Sequence, residues 1–153
     1  MGNALVYVKG GIVNVVTDRS GYFNVEVKNL GEQLLTIRSA GYNHLDTLID
    51  VSSESVRELK ITLIADCPYD QKSAEEDILK GQPKLLISSG TAPVVSDGLQ
   101  KFERKYKIRY VDIGEYLIAE ECLKGYNEAI FKHLDSKFGK KWRKNVRSNV
   151  MFL

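Results

Sequence analysis

Residues 13–27, VNVVTDRSGYFNVEV, decide how the first part of the chain is read. Two alternating runs, Val13-Val15-Thr17 and Phe23-Val25-Val27, flank the tetrad Asp18-Arg19-Ser20-Gly21. Asp18 can bond its own backbone at the first position of a turn, and Gly21 can take the positive φ that closes a short hairpin loop. The stretch therefore predicts a β-hairpin. Working outward, residues 4–9 alternate as a strand does, and Gly10-Gly11 turns the chain into residues 12–17. On the other side, Asn29-Leu30-Gly31 makes a turn before residues 33–39 resume the strand pattern, which Ala40-Gly41-Tyr42 interrupts. Residues 47–51 and 59–63 supply two more short strands, the second with Leu59, Ile61 and Leu63 on one face. Short strands separated by Gly or Asn turns are the pattern of a sandwich or barrel.

At Cys67-Pro68 the pattern changes, and a domain boundary is expected there: 1–66 as a β domain, 67–153 as a small α/β domain. Ser73-Ala74-Glu75-Glu76 reads as a capping box opening a short helix that Gly81 and Pro83 stop. Residues 84–88 (KLLIS) form a short buried strand, and 96–106 a helix with Leu99, Phe102 and Tyr106 on one side. A second strand follows at 108–113. A long helix at 119–137 carries Leu123, Tyr126, Ile130 and Leu134 as an apolar stripe and ends at Gly139; a last helix is expected over 140–148. Two strands make a meagre sheet, so a third is expected from residues 115–118 or from the first domain.

The composition bounds the function. With 153 residues and 43% hydrophobic content the chain is an ordinary folded protein of one or two domains. No apolar run approaches the roughly 20 residues of a membrane span, and residues 1–4 lack the features of a signal peptide. The net charge of +2 conceals an asymmetry: residues 1–66 hold 6 basic and 8 acidic side chains, whereas 67–153 hold 16 and 12. The basic excess concentrates in 137–147, where Lys140, Lys141, Arg143, Lys144 and Arg147 follow Lys137 without an acid. Such a run can attract nucleic acid or an anionic surface, or it can be a solvated helix face, the commoner case.

Cys67 and Cys122 lack the spacing of a redox motif or zinc site, and with only His44 and His133 besides, no metal site is expected. Buried, reduced thiols are the favoured reading, a disulfide the alternative outside the reducing cytosol. The loop Ser88-Ser89-Gly90-Thr91, between a strand and a helix, offers backbone amides to an anion, although it matches neither phosphate-binding glycine motif and Pro93 removes an amide. Glu75-Glu76-Asp77 and Glu120-Glu121 suit helix starts better than acid-base chemistry, and His133 has no evident orienting partner. No catalytic residue and no cofactor is expected.

The runs GNALVYVKGG, VVTDRSGYFNVEV, LTIRSAGY and LKITL resemble the carboxypeptidase regulatory-like domain, a prealbumin-type β-sandwich. The likeness rests on Gly2, Ala4, Val6, Val8 and Gly10, on Thr17-Asp18-x-x-Gly21-x-Phe23, and on Gly41-Tyr42. It implies that residues 2–66 form a prealbumin-type antiparallel sandwich; with the helical pattern that follows, the chain is expected to be α+β, the sandwich preceding a small α/β region with three to four helices. It further implies a structural or interaction module in a bacterial periplasmic, envelope or secreted protein. Family members begin with one more strand, of the type G-x-V-x-D-x-x-G-x-P-L, before the position of Gly2. Its absence is read as trimming, which leaves residues 4–9 or a neighbour as an open edge for a protein partner or for self-association. The runs PKLLISSGTAPV, KFERKY and YNEAIFKHLDSKFGKKWRKNVR resemble a segment of uncharacterised bacterial proteins, a likeness that implies no activity. Three function classes follow: a non-catalytic module, favoured; an anion-binding domain or enzyme at residues 88–93; and a nucleic-acid or anionic-surface binder using the basic C-terminal run, with nucleic acid the less favoured partner.

Overall fold

The computed structural model describes residues 3–9, 13–52, 58–88, 97–114 and 117–153, the side chains of 97–99 excepted. The chain is mixed α+β and divides into two compact units, Met1–Asp66 and Cys67–Leu153.

In the first unit, strands β1 (Leu5–Val8), β2 (Val15–Val16), β3 (Gly31–Arg38) and β4 (Leu45–Val51) form one antiparallel sheet in the order β2-β1-β3-β4. Alternation places Val6, Val8, Leu35 and Ile37 on a buried face. The turn at Asp18 has the expected chemistry. Asp18 Oδ1 accepts from the Ser20 amide at 2.8 Å, the Tyr22 amide at 3.0 Å and the Ser20 hydroxyl at 2.6 Å, and Gly21 sits at φ +85°.

The hairpin expected around that turn does not form. β2 pairs with β1 (Leu5 opposite Val16), and Thr17 seals that end by accepting from the Ala4 amide at 3.0 Å. Residues 23–27 join no ladder among the described residues, yet Phe23, Val25 and Val27 turn inward onto the sheet's core while their neighbours face water. Residues 59–63 behave alike: Ile61 and Leu63 pack inward without forming a strand, and Leu59 is 42% exposed. Period-two alternation reports which side chains are buried, not which backbone they pair with. β1 is also no open edge. It lies between β2 and β3, so among the described residues the edges are its neighbour β2 and β4.

In the second unit, α1 (Gln71–Leu79) precedes β5 (Lys84–Ile87), α2 (Asp97–Tyr106), β6 (Arg109–Asp112), α3 (Glu120–Phe138) and a 3-10 turn, Lys140–Lys144. The capping box is Asp70 with Ser73, three residues earlier than expected. Asp70 Oδ1 accepts from the Ser73 amide at 2.7 Å and Ser73 Oγ from the Asp70 amide at 2.8 Å. Asp70 starts the helix as effectively as Ser73 would, and Ser73 becomes the reciprocal partner.

β5 and β6 pair in parallel, Lys84 opposite Arg109 through Ile87 opposite Asp112. Of the expected third strand at 115–118, residues 115 and 116 lie outside the described residues and Ile118 makes a single β-bridge. The C-terminal segment also joins this layer: Val150 bridges Ile87 antiparallel, and the Met151 amide donates to Leu86 O at 3.2 Å. The expected last α-helix is a short 3-10 turn that ends at Asn145, and it buries Trp142 completely. Trp142 stacks at a tilt on Phe131 of α3, ring centroids 5.7 Å apart. The thiols expected to be free are joined as a Cys67–Cys122 disulfide, which ties the start of this unit to the first turn of α3.

Candidate functional site

Of the anion loop Ser88, Ser89, Gly90 and Thr91, only Ser88 lies within the described residues. Its amide donates to Asn149 O at 3.2 Å, and its carbonyl accepts from Asn149 Nδ2 at 3.2 Å. The backbone of Ser88 thus holds the C-terminal segment.

The basic run divides into two kinds of residue. Lys140, Lys141 and Lys144 are exposed, whereas Arg143 and Arg147 are half-buried and engaged inside the unit. Arg143 grips Asp135 with both arms of its fork, Nη2 to Oδ2 at 2.9 Å and Nε to Oδ1 at 3.2 Å. Asp135 Oδ1 also accepts from the Trp142 indole at 2.8 Å. The Arg143 fork, the indole hydrogen bond and the charge of Lys140 hold the Asp135 carboxyl below the usual carboxylate range. Arg147 lies 5.7 Å from the centroid of the Tyr110 ring, and its amide donates to the Tyr110 hydroxyl. Burial pushes the Tyr110 phenol up to about 12, so it stays protonated.

A second polar knot was invisible in the sequence. Asp77 Oδ2 accepts from Lys84 Nζ and from the Tyr126 hydroxyl, each at 2.6 Å, linking α1, β5 and α3. Burial opposes the Asp77 charge, but the hydrogen bonds from Lys84 and Tyr126 outweigh it and keep the carboxyl low. The Tyr126 phenol is driven up, first by burial and then by that carboxylate. Asp77 carried only its helix-start signal, since Lys84 and Tyr126 approach it through the fold.

Asn127, fully buried beside the apolar stripe, is the other residue that sequence reasoning missed. Its Oδ1 accepts from the Leu86 amide, while its Nδ2 donates to Leu86 O and Met151 O, all at 2.9 Å. The carboxamide thus acts as one residue of strand along the edge of β5. A polar side chain next to Tyr126 and Ile130 was the available signal.

His133 is partly buried, and that burial together with Lys137 lowers its affinity for a proton. Among the described residues no three His, Cys, Asp or Glu side chains gather as a metal site would need. No described helix is long and apolar enough to cross a membrane. A shallow groove of about 400 Å³ runs beside the disulfide, lined by Asp70, Gln71, Lys72, Glu75, Glu121 and Gly125 with both cysteines.

In the first unit the feature with chemical potential is β4. Among the described residues it pairs with β3 alone, in register from Ile37 opposite Leu45 to Gly31 opposite Val51. Leu45, Thr47, Ile49 and Val51 share the sheet's inner face. Asp46, Leu48 and Asp50 share the outer one, where Leu48 is 63% exposed. No family model, curated protein or solved structure matches this chain.

Proposed function

We propose that the chain is a non-catalytic interaction module of an envelope or secreted protein. In this reading residues up to Asp66 form a prealbumin-type sandwich of the carboxypeptidase regulatory-like kind, which takes up a partner's strand along β4. The observation that carries the reading is β4 itself, seven residues long and paired on one side among the described residues. A strand edge is a template for β-augmentation, in which main-chain hydrogen bonds supply affinity and alternate side chains supply specificity. The inward-turned Phe23, Val25, Val27, Ile61 and Leu63 support a second layer over the sheet. The disulfide supports an oxidising compartment.

Charge selects the partner. A second copy paired antiparallel about Leu48 would set Asp46 against Asp50 twice, and like charges directly opposite are destabilising. The edge instead suits a strand with basic residues on either side of an apolar one. Calorimetric titration of the full chain with a synthetic Lys-Thr-Val-Thr-Lys peptide tests this. Saturable binding that Leu48→Lys abolishes is expected. A chain that ignores the peptide and sediments as a monomer would remove the proposal, and a concentration-dependent dimer would replace it with self-association.

A further inference from the structure

A second basic run lies beside the one at 137–147, far from it in sequence. Residues 101–109, KFERKYKIR, carry Lys101, Arg104, Lys105, Lys107 and Arg109 against a single acid, Glu103. All five cations are exposed, and the Glu103 carboxylate accepts from the Tyr110 amide at 2.9 Å. Lys101, Arg104 and Lys105 fall three and four residues apart on α2, so they share a face.

Aromatic contacts join the two runs. The rings of Tyr106 and Phe138 meet edge to face, centroids 5.1 Å apart. Lys105 Nζ stands 5.1 Å from the Tyr106 centroid, and Lys137 Nζ stands 5.6 Å from that of Phe138. On the neighbouring strand Tyr110 stacks on Phe102 at 5.4 Å and carries Arg147. Lys105 and Lys137, one from each run, therefore rest on rings that touch one another, and Tyr110, which carries Arg147, reaches the same rings through Phe102.

We propose that this joined surface docks the protein on an anionic lipid surface. Tyr106 is 6% exposed, so its ring is not offered to a base, as single-strand nucleic-acid binders require. Most of the exposed cations of the two runs are lysines, point charges suited to a field of headgroups rather than to forked recognition of one phosphate. The depressed proton affinity of His133, caused by burial and then by Lys137, is consistent with a positive local field.

The test is co-sedimentation of the full, disulfide-bonded chain with vesicles of equal parts phosphatidylglycerol and phosphatidylcholine. Vesicles of phosphatidylcholine alone and a double-stranded oligonucleotide serve as alternatives. Binding to the anionic vesicles that fades as salt rises is expected. Lys101→Gln with Lys105→Gln, or Lys140→Gln with Lys144→Gln, should each weaken it by about fivefold per charge removed, and the four together further. Because these lysines are exposed, thermal melts should change little, apart from the small contribution of Lys140 to the charge of Asp135. Binding that ignores the α2 pair overturns the joined surface. Equal binding to neutral vesicles, or binding to the oligonucleotide and not to the vesicles, overturns the lipid assignment. The salt dependence of the parent chain decides the matter independently of how the variants fold.

Discussion

In the first unit the buried core among the described residues is four side chains, Val6, Val8, Leu35 and Ile37, with a fringe of half-buried apolar groups. In the second it is fifteen, from Ala74 to Val150, pinned by a disulfide, a fully buried asparagine and two charged knots. The first unit relies on extended segments that lean inward without a ladder; the second ties each element to another by named polar bonds. Burial scales with the apolar area removed from water, whereas a satisfied polar network adds a penalty for every partial opening. The second unit should therefore open only as a whole. The first should exchange its amides by smaller, local events.

The largest expected effect that would break this comparison is at Trp142. Trp142→Ala removes a wholly buried ring and the indole donor of Asp135, so a loss of about 5 kcal/mol is expected in urea unfolding followed by circular dichroism. If amides of β1 and β3 shift by the same amount, the units unfold together and the contrast fails. Reduction of the disulfide comes next. Its cysteines are 55 positions apart, and the chain-entropy relation gives about 4 kcal/mol for a loop of that order. Hydrogen exchange with and without reductant should show the loss in α1 and α3. Loss confined to β3 and β4 would reverse the picture.

Acid sharpens the contrast further. Asp77 and Asp135 have depressed pKa values in the folded state, so each contributes stability that is complete above the unfolded value near 4 and disappears as pH falls through the lower folded one. Melting temperatures of the second unit should thus drop below about pH 4, and Asp135→Asn should flatten that limb. A limb that Asp135→Asn leaves unchanged would remove the Arg143 knot as its cause. The smallest effect is at Gly21, where φ is +85° and an added Cβ would meet nothing, leaving only backbone strain. Gly21→Ala should cost on the order of 1 kcal/mol, confined to the first unit. An unchanged urea midpoint would show that the turn relaxes.

Local chemistry was legible in the sequence. Asp18 and Gly21 announce their turn, Gly139 takes the positive φ expected of a helix stop, and the stripe Leu123, Tyr126, Ile130, Leu134 is buried along α3 as its spacing requires. Pairing was not legible. Nothing in Phe23-Val25-Val27 says that its backbone stays outside the ladder, because alternation is blind to hydrogen-bond partners. The Cys67–Cys122 bond and the Asp77–Lys84–Tyr126 knot are products of the fold, made by residues that sequence spacing keeps apart. The basic run misled in another way. Arg143 and Arg147 look like their lysine neighbours in a string of letters, yet their flat forks are the ones that turn inward onto rings and carboxylate.

The bracket at Asn127 bears on the order of events during synthesis. β5 leaves the ribosome early, but the groups that complete its second side, Asn127 and then Asn149 to Met151, emerge much later; Ser88 and its partner Asn149 are 61 positions apart. Until then the nascent second unit exposes an apolar strand with an unfinished margin, while the strands of the first unit, all earlier than Asp66, are already free to pair. Vectorial emergence therefore lets the β unit assemble first and leaves the α/β unit waiting on Asn149 to Met151, the interval in which a chaperone would find the most to hold.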